Sequence, residues 1–140
     1  MKAIKSPAAK MGIKEGSRGI LINAPGDIHT TLHLPALDLA SRLTGHFDYI
    51  HFFTKTLADL DRRFPVLMKH LQATGMLWVS WPKAGQLDTD LTMKSLIRTG
   101  YYHGLVESKA ISLDATWSAL KFTHPRKGKI YRNSYGVFKT

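Results

Sequence analysis

The sequence predicts an α/β domain in three layers, with a mostly parallel sheet that closes on a C-terminal antiparallel hairpin. Three observations carry this prediction. The stretch 75–83, GMLWVSWPK, runs from a glycine through apolar strand formers to a proline, which cannot donate to a ladder. Such a run is a buried parallel strand ending at a loop. Similar runs alternate with segments of helical periodicity, and that alternation requires crossovers and helices on both faces of a sheet. The last two runs, 105–113 and 117–123, are separated only by Asp114-Ala115-Thr116, a link short enough to demand a hairpin.

Composition sets the bounds. The 140 residues fit one domain, and 44% hydrophobic with 21% charged residues is the balance of a globular chain. There is no apolar run of about 18 residues, so no membrane span is expected. The basic start MKAIKSPAAK has no apolar centre and does not read as a signal peptide. With no Cys there is no disulfide framework and no thiolate chemistry. A cytoplasmic protein is the default expectation.

The net charge of +10 is unevenly placed. Lys2, Lys5, Lys10, Lys14 and Arg18 face only Glu15, while Lys121, Arg126, Lys127, Lys129, Arg132 and Lys139 face no acid after residue 120. Residues 19–120 are balanced. Basic ends of this kind hold phosphate backbones or acidic surfaces through salt-dependent contacts, or simply keep a chain soluble. The expected organisation is a basic arm over 1–17, a domain over 18–124 and a basic tail over 125–140.

In chain order, 1–17 reads as a loose arm with Met11-Gly12-Ile13 as an apolar anchor, turning at Gly16. Residues 18–24 (RGILINA) form a strand that breaks at Pro25-Gly26. A short helix follows over 27–34 with Asp27 at its N-cap, ended by Pro35. Residues 37–43 fit either a short strand or a helical turn. Residues 49–54 (YIHFFT) are a strand. The helix at 56–72 has Leu57, Leu60, Phe64, Leu67, Met68 and Leu71 at helical spacing, with a kink or break expected at Pro65. Gly75 is expected to close the turn into the next strand. A last helix is capped from Asp88, Thr89 or Asp90 and runs to about Tyr101. Regular structure is expected to end at His124-Pro125.

Ligands of open α/β sheets sit beyond the carboxyl ends of the strands. This rule selects Asn23, Pro25 and Gly26 after the first strand, Thr54 after YIHFFT, and Ser80, Trp81 and Lys83 after the central strand. Lys83 suits an anionic group as a point charge, and equally suits an exposed loop. Thr89, Asp90 and Thr92 begin a helix whose N–H groups suit an anion, and plain capping explains them as well. Asn23 is polar where the run was apolar, and serves either a ligand or its own turn. Trp78 and Trp117 read as packing residues and Trp81 as a pocket wall. His51, inside a strand, reads as a hydrogen-bonded core residue. His29 and His33 are four apart with no third ligand nearby, so no metal site is expected. No serine elbow, P-loop or HExxH motif is present.

Several stretches carry a resemblance: 10–16 (KMGIKEG), 21–25 (LINAP), Phe47-Asp48, 77–83 (LWVSWPK), 89–92 (TDLT) and 114–121 (DATWSALK). Across about residues 8–123 the chain resembles a family of small bacterial proteins of unknown function. It departs in Met11, where leucine is usual, and in the basic tail past residue 124. The resemblance implies a fold and no activity. The order of elements is also similar to the class I methyltransferase-like Rossmann fold, reduced in its front half. That likeness implies a Rossmann-like sheet of order 2-1-3-4-6-5 with the sixth strand antiparallel. It also implies S-adenosylmethionine as a ligand, held by a glycine-rich loop after the first strand and an acid ending the second. Here the loop Asn23-Ala24-Pro25-Gly26-Asp27 has one glycine, Pro25 removes an N–H, and Asp38 is the acid at hand.

The sequence therefore favours a non-catalytic module for a small anionic ligand or a protein partner. Two alternatives stand beside it. One is a divergent S-adenosylmethionine-dependent, methyltransferase-like enzyme. The other is a nucleic-acid-associated protein acting through Arg126, Lys127, Lys129 and Arg132, with Tyr131, Tyr135 and Phe138 either stacking on bases or covering an edge strand.

Overall fold

The computed structural model describes residues 5–133 and 136–139. Lys2 and the tail aromatic Tyr135, both invoked above, lie outside the described residues. A six-stranded sheet of order β2-β1-β3-β4-β6-β5 forms the centre. Its strands are β1 (Arg18–Ile22), β2 (Asp38–Leu39), β3 (Phe47–Phe53), β4 (Leu71–Pro82), β5 (Val106–Ser112) and β6 (Trp117–Thr123). Strands β2, β1, β3 and β4 pair in parallel, and β6 lies antiparallel between β4 and β5. This is the sheet that the alternating runs and the closing hairpin predict.

One face is covered by α3 (Leu57–Lys69) and α4 (Met93–His103). Leu60, Phe64 and Leu67 from α3 and Leu96 and Ile97 from α4 pack there on Ile50, Phe52, Val79, Leu120 and Phe122. The other face is covered by two one-turn helices, α1 (Pro7–Met11) and α2 (Ile28–Leu32). Ala8, Met11, Ile28 and Leu32 meet Tyr49, Phe53, Trp78 and Ala119 on that side.

Several local expectations are corrected. The N-terminal segment is not a loose arm. Ser6 accepts the Ala9 N–H, Pro7 opens the helix and Gly12 closes it with φ 79°. Burying the Met11 side chain stabilises this cover by roughly 1.5–3 kcal/mol. Helix α3 runs unbroken through Pro65. Gly75 lies within β4, where a Cβ would sit 2.8 Å from the Phe47 carbonyl oxygen, so close strand approach explains it. Helix α4 is capped by Thr92, whose hydroxyl accepts the Ser95 N–H while Ser95 Oγ accepts the Thr92 N–H. The ambiguous segment at 37–43 contributes the two-residue strand β2. Past residue 124 the chain is not irregular: β7 (Ile130–Asn133) pairs with β8 (Gly136–Lys139) as a separate antiparallel ribbon. Phe138 of this ribbon lies 5.5 Å from the Tyr101 ring of α4.

Helix α4 reaches the sheet because Gly100 has no side chain. A Cβ there would come within 2.2 Å of the buried Phe122 ring. Replacing a helical glycine by alanine gains up to about 1 kcal/mol of propensity, whereas forcing atoms into a packed core costs typically about 1–3 kcal/mol. Gly100→Ala is therefore expected to lower stability, read as a reduced midpoint in chemical denaturation with an unchanged slope.

Candidate functional site

The carboxyl ends of β1 and β3 diverge, because the chain leaves β1 toward β2 on one side while β3 lies on the other. A crevice opens at such a switch point. It is a cavity of about 580 Å³ lined by Asn23, Pro25, Phe53, Thr54, Lys55, Thr56, Asp59, Leu87 and Trp117. Asn23 follows β1 directly and is held at φ 58°, a left-handed conformation that asparagine tolerates. Phe53 forms an inner wall and meets Trp117 edge to face at 5.2 Å.

The floor comes from the entry to α3. Thr56 caps the helix by accepting the Asp59 N–H, and Asp59 in turn accepts from Thr54 Oγ1 at 3.0 Å and from Arg62 at 2.6 Å. Lys55 stands exposed between them with no ion-pair partner among the described residues. Its carbonyl is pinned by Thr89 Oγ1 at 2.6 Å and by the Asp90 N–H, while Asp90 Oδ1 accepts the Leu57 N–H at 2.8 Å. Thr89 and Asp90 thus brace the loop that carries Lys55. They do not line the cavity themselves.

Above the crevice, Lys83–Asp88 is a succession of tight turns. Ala84, Leu87 and Asp88 all have positive φ, an arrangement that costs of order 1–3 kcal/mol per residue and is often found at ligand sites. Leu87 is half exposed there despite being apolar.

The remaining sequence-selected residues lie elsewhere. Lys83 does not face the crevice: its ammonium donates to Ser112 Oγ and to the Asp114 carbonyl, fastening β4 to the β5–β6 turn. Trp81 is buried on the α3–α4 face and is no cavity wall. Gly26 does not line the cavity, and nothing would crowd a Cβ at its Cα. Ser80 is fully buried and accepts or donates to His51 Nε2 at 2.6 Å, while His51 Nδ1 meets Tyr49 OH at 2.5 Å. His51 also stacks on Phe53, with ring centroids 4.3 Å apart. In the tail, Arg126 N–H donates to Tyr131 OH and Lys129 lies over the Tyr131 ring, while Lys127 is exposed. The residues that sequence reasoning missed are Phe53, Lys55, Thr56, Asp59, Leu87 and Trp117, the last of which reads from sequence as a packing residue. The Thr56-x-x-Asp59 cap spacing was the available signal for two of them.

No family model matches this chain, and no curated protein does. Solved structures do match in fold. A ribosomal protein L11 methylase from Lactobacillus delbrueckii subsp. bulgaricus has a TM-score of 0.58 at 10% identity, covering 84% of this chain and 74% of that one. A TehB-like SAM-dependent methyltransferase from Corynebacterium glutamicum has a TM-score of 0.53 at 10% identity, covering 84% and 85%. A putative methyltransferase from Thermoplasma acidophilum has a TM-score of 0.52 at 8% identity, covering 87% and 75%. The fold is methyltransferase-like. Among the described residues, no helix is long and apolar enough to cross a membrane.

The methyl donor that this fold implies meets two mismatches. The Pro25 carbonyl accepts the Ile28 N–H, so the single-glycine loop turns at once into α2. Asp38 pairs in register with Arg18, the first residue of β1, which puts it at the far end of the sheet from Asn23. The residues in the expected positions do not fit the donor, and no methyl-transfer step follows from them.

The buried histidine makes a pH prediction. Burial lowers the His51 pKa from 6.5 to about 3, so the ring stays neutral in the folded protein while it protonates when unfolded. Its contribution is complete above about pH 6.5 and is lost as pH falls toward 3, with a slope approaching about 1.4 kcal/mol per pH unit. Urea denaturation between pH 7 and pH 4 should show this loss. In His51→Leu the same slope should be shallower, whatever the variant's absolute stability.

Proposed function

We propose that this chain is a small-molecule-binding module on a methyltransferase-like fold, whose switch-point cavity takes a ligand with a flat apolar body and an anionic group. The observation that carries the reading is the division of the cavity's lining. Phe53, Trp117, Pro25 and Leu87 supply apolar surface, while Asn23, Thr54, Thr56, Asp59 and Lys55, which has no ion-pair partner among the described residues, supply polar groups beside the start of a thirteen-residue helix. A few convergent polar groups in an apolar cavity are the usual form of a ligand site. The first-turn N–H groups of Leu57 and Asp59 are already taken by Asp90 and Thr56, so Lys55 is the group that would attract the anion.

A second reading is favoured by the names of the neighbours and by one residue. Asp59 is the carboxylate that lines this cavity, and it could hold ribose hydroxyls in place of the missing acid on β2. The chain would then be a divergent S-adenosylmethionine-dependent, methyltransferase-like enzyme. Under the first reading the fold serves binding alone.

Titration calorimetry with adenine nucleotides, S-adenosylmethionine and its demethylated product separates the two. Under the first reading an anionic nucleotide binds saturably, and Lys55→Gln or Trp117→Ala weakens it at least tenfold, about 1.4 kcal/mol. Preferential binding of the methyl donor, weakened by Asp59→Asn, supports the second. If none of these ligands binds, the cavity is not the nucleotide-type site proposed here.

A further inference from the structure

A second cleft lies at the opposite, amino-terminal end of the sheet, between the turn after α1 and the exposed start of β4. It has a volume of about 420 Å³ and is lined by Lys14, Ser17, Asp48, Thr74, Lys121 and Thr123 among others. Lys14 comes from the N-terminal segment and Lys121 from the far end of β6, so the fold joins two lysines 107 positions apart in the chain. Among the described residues neither is in an ion pair, and the hydroxyls of Ser17, Thr74 and Thr123 make no hydrogen bond. Asp48 is the one carboxylate in the lining, and one of its oxygens already accepts the Arg18 N–H at 3.0 Å.

A further observation points the same way. Lys121 is in register with Lys109 on β5, and like charges directly opposite on neighbouring strands destabilise a sheet. Lys109 turns its ammonium to the Lys10 carbonyl at the end of α1, two residues before Gly12 in the cleft lining. The sheet thus holds an unfavourable lysine pair next to a cavity whose hydroxyls are free to donate.

We propose that this cleft binds a compact phosphate-bearing molecule, with Lys14 and Lys121 as the paired cations and Ser17, Thr74 and Thr123 as hydroxyl donors. Two ammonium point charges with three hydroxyls match the several oxygens of a phosphomonoester or pyrophosphate group. The Asp48 carboxylate inside the cleft disfavours a continuous nucleic-acid backbone, which would have to pass it. This site is separate from the switch-point cavity, so it stands or falls independently of the ligand proposed there.

The test uses the full chain with pyrophosphate and inorganic phosphate as probes, in calorimetry and thermal unfolding at about 150 mM salt, where the Debye length is about 8 Å. Pyrophosphate should bind saturably and raise the unfolding midpoint. Lys14→Gln and Lys121→Gln should each weaken it at least tenfold, while Lys55→Gln at the other end of the sheet leaves it unchanged. Without ligand, Lys121→Gln should unfold no earlier than the native chain, because it relieves the pair with Lys109. The proposal is overturned if the native chain shows no saturable binding, or if both lysine variants bind as the native chain does. It is equally overturned if duplex DNA or RNA binds through these lysines and pyrophosphate does not compete.

Discussion

The parallel pairing of β3 with β4 is the constraint on which the rest of the structure depends. Both strands are covered on both faces, so Tyr49, Ile50, His51, Phe52, Trp78, Val79 and Ser80 are almost completely removed from water. Apolar side chains there gain from burial, but a buried polar group is costly unless it finds a partner. For Tyr49, His51 and Ser80 the structure meets that demand within the two strands themselves, whereas the buried Trp78 indole N–H has no partner among the described residues. Tyr49 and His51 stand on alternate residues of β3, and Ser80 lies on β4 within reach of the ring, so the three close one hydrogen-bonded chain across the sheet. Removing one member would leave a partner unsatisfied, at about 1–3 kcal/mol. The register of β3 against β4 is thereby fixed by polar geometry as well as by packing.

That register determines what stands at each end of the sheet. Because β3 stops at Phe53 and Thr54 turns into the cap of α3, the helix begins at the carboxyl edge and delivers Thr56 and Asp59 to the crevice. His51 stacks on Phe53, and Phe53 meets Trp117, so the buried polar chain is one ring removed from the cavity wall. The loop above it is held by three non-glycine residues in left-handed conformations and by Gln86 donating to the Ala115 carbonyl.

Much of the fold was legible because its signals are local. The apolar runs of β1, β3, β4 and β6 announce buried strands, and the three-residue link before Trp117 forces a hairpin, with Asp114 accepting the Thr116 and Trp117 N–H groups. What was not legible depends on contacts distant in sequence. Gly75 reads as a turn until β3 brings the Phe47 carbonyl against it. Pro65 reads as a helix breaker, yet α3 carries it in mid-helix because the helix is held by its buried face. Lys83 reads as a free cation at a strand end, and only the β5–β6 turn reveals that its ammonium is already engaged. The site was half visible for the same reason. Asn23, Pro25 and Thr54 follow from where strands end, whereas Lys55, Asp59 and Leu87 reach the crevice through loop geometry that no periodicity encodes.

Charge shows the same lesson more sharply. Along the sequence the positive excess belongs to the two ends, which suggests two independent arms. In the fold these are not independent. Helix α1 packs on the sheet through Ala8 and Met11, and this brings Lys10 and Lys14 near Lys109 on the edge strand β5 and Lys121 on its neighbour β6. Residues that sum to neutrality in the middle of the chain and residues from both termini thus share one surface. Coulomb repulsion among them is weak in water but is not zero at neighbouring strand positions. Apolar burial of α1 is what holds the cations together, since Met11 and Ile13 anchor the segment that carries Lys10 and Lys14. Packing on one side of the sheet therefore creates the electrostatic character of its amino-terminal end.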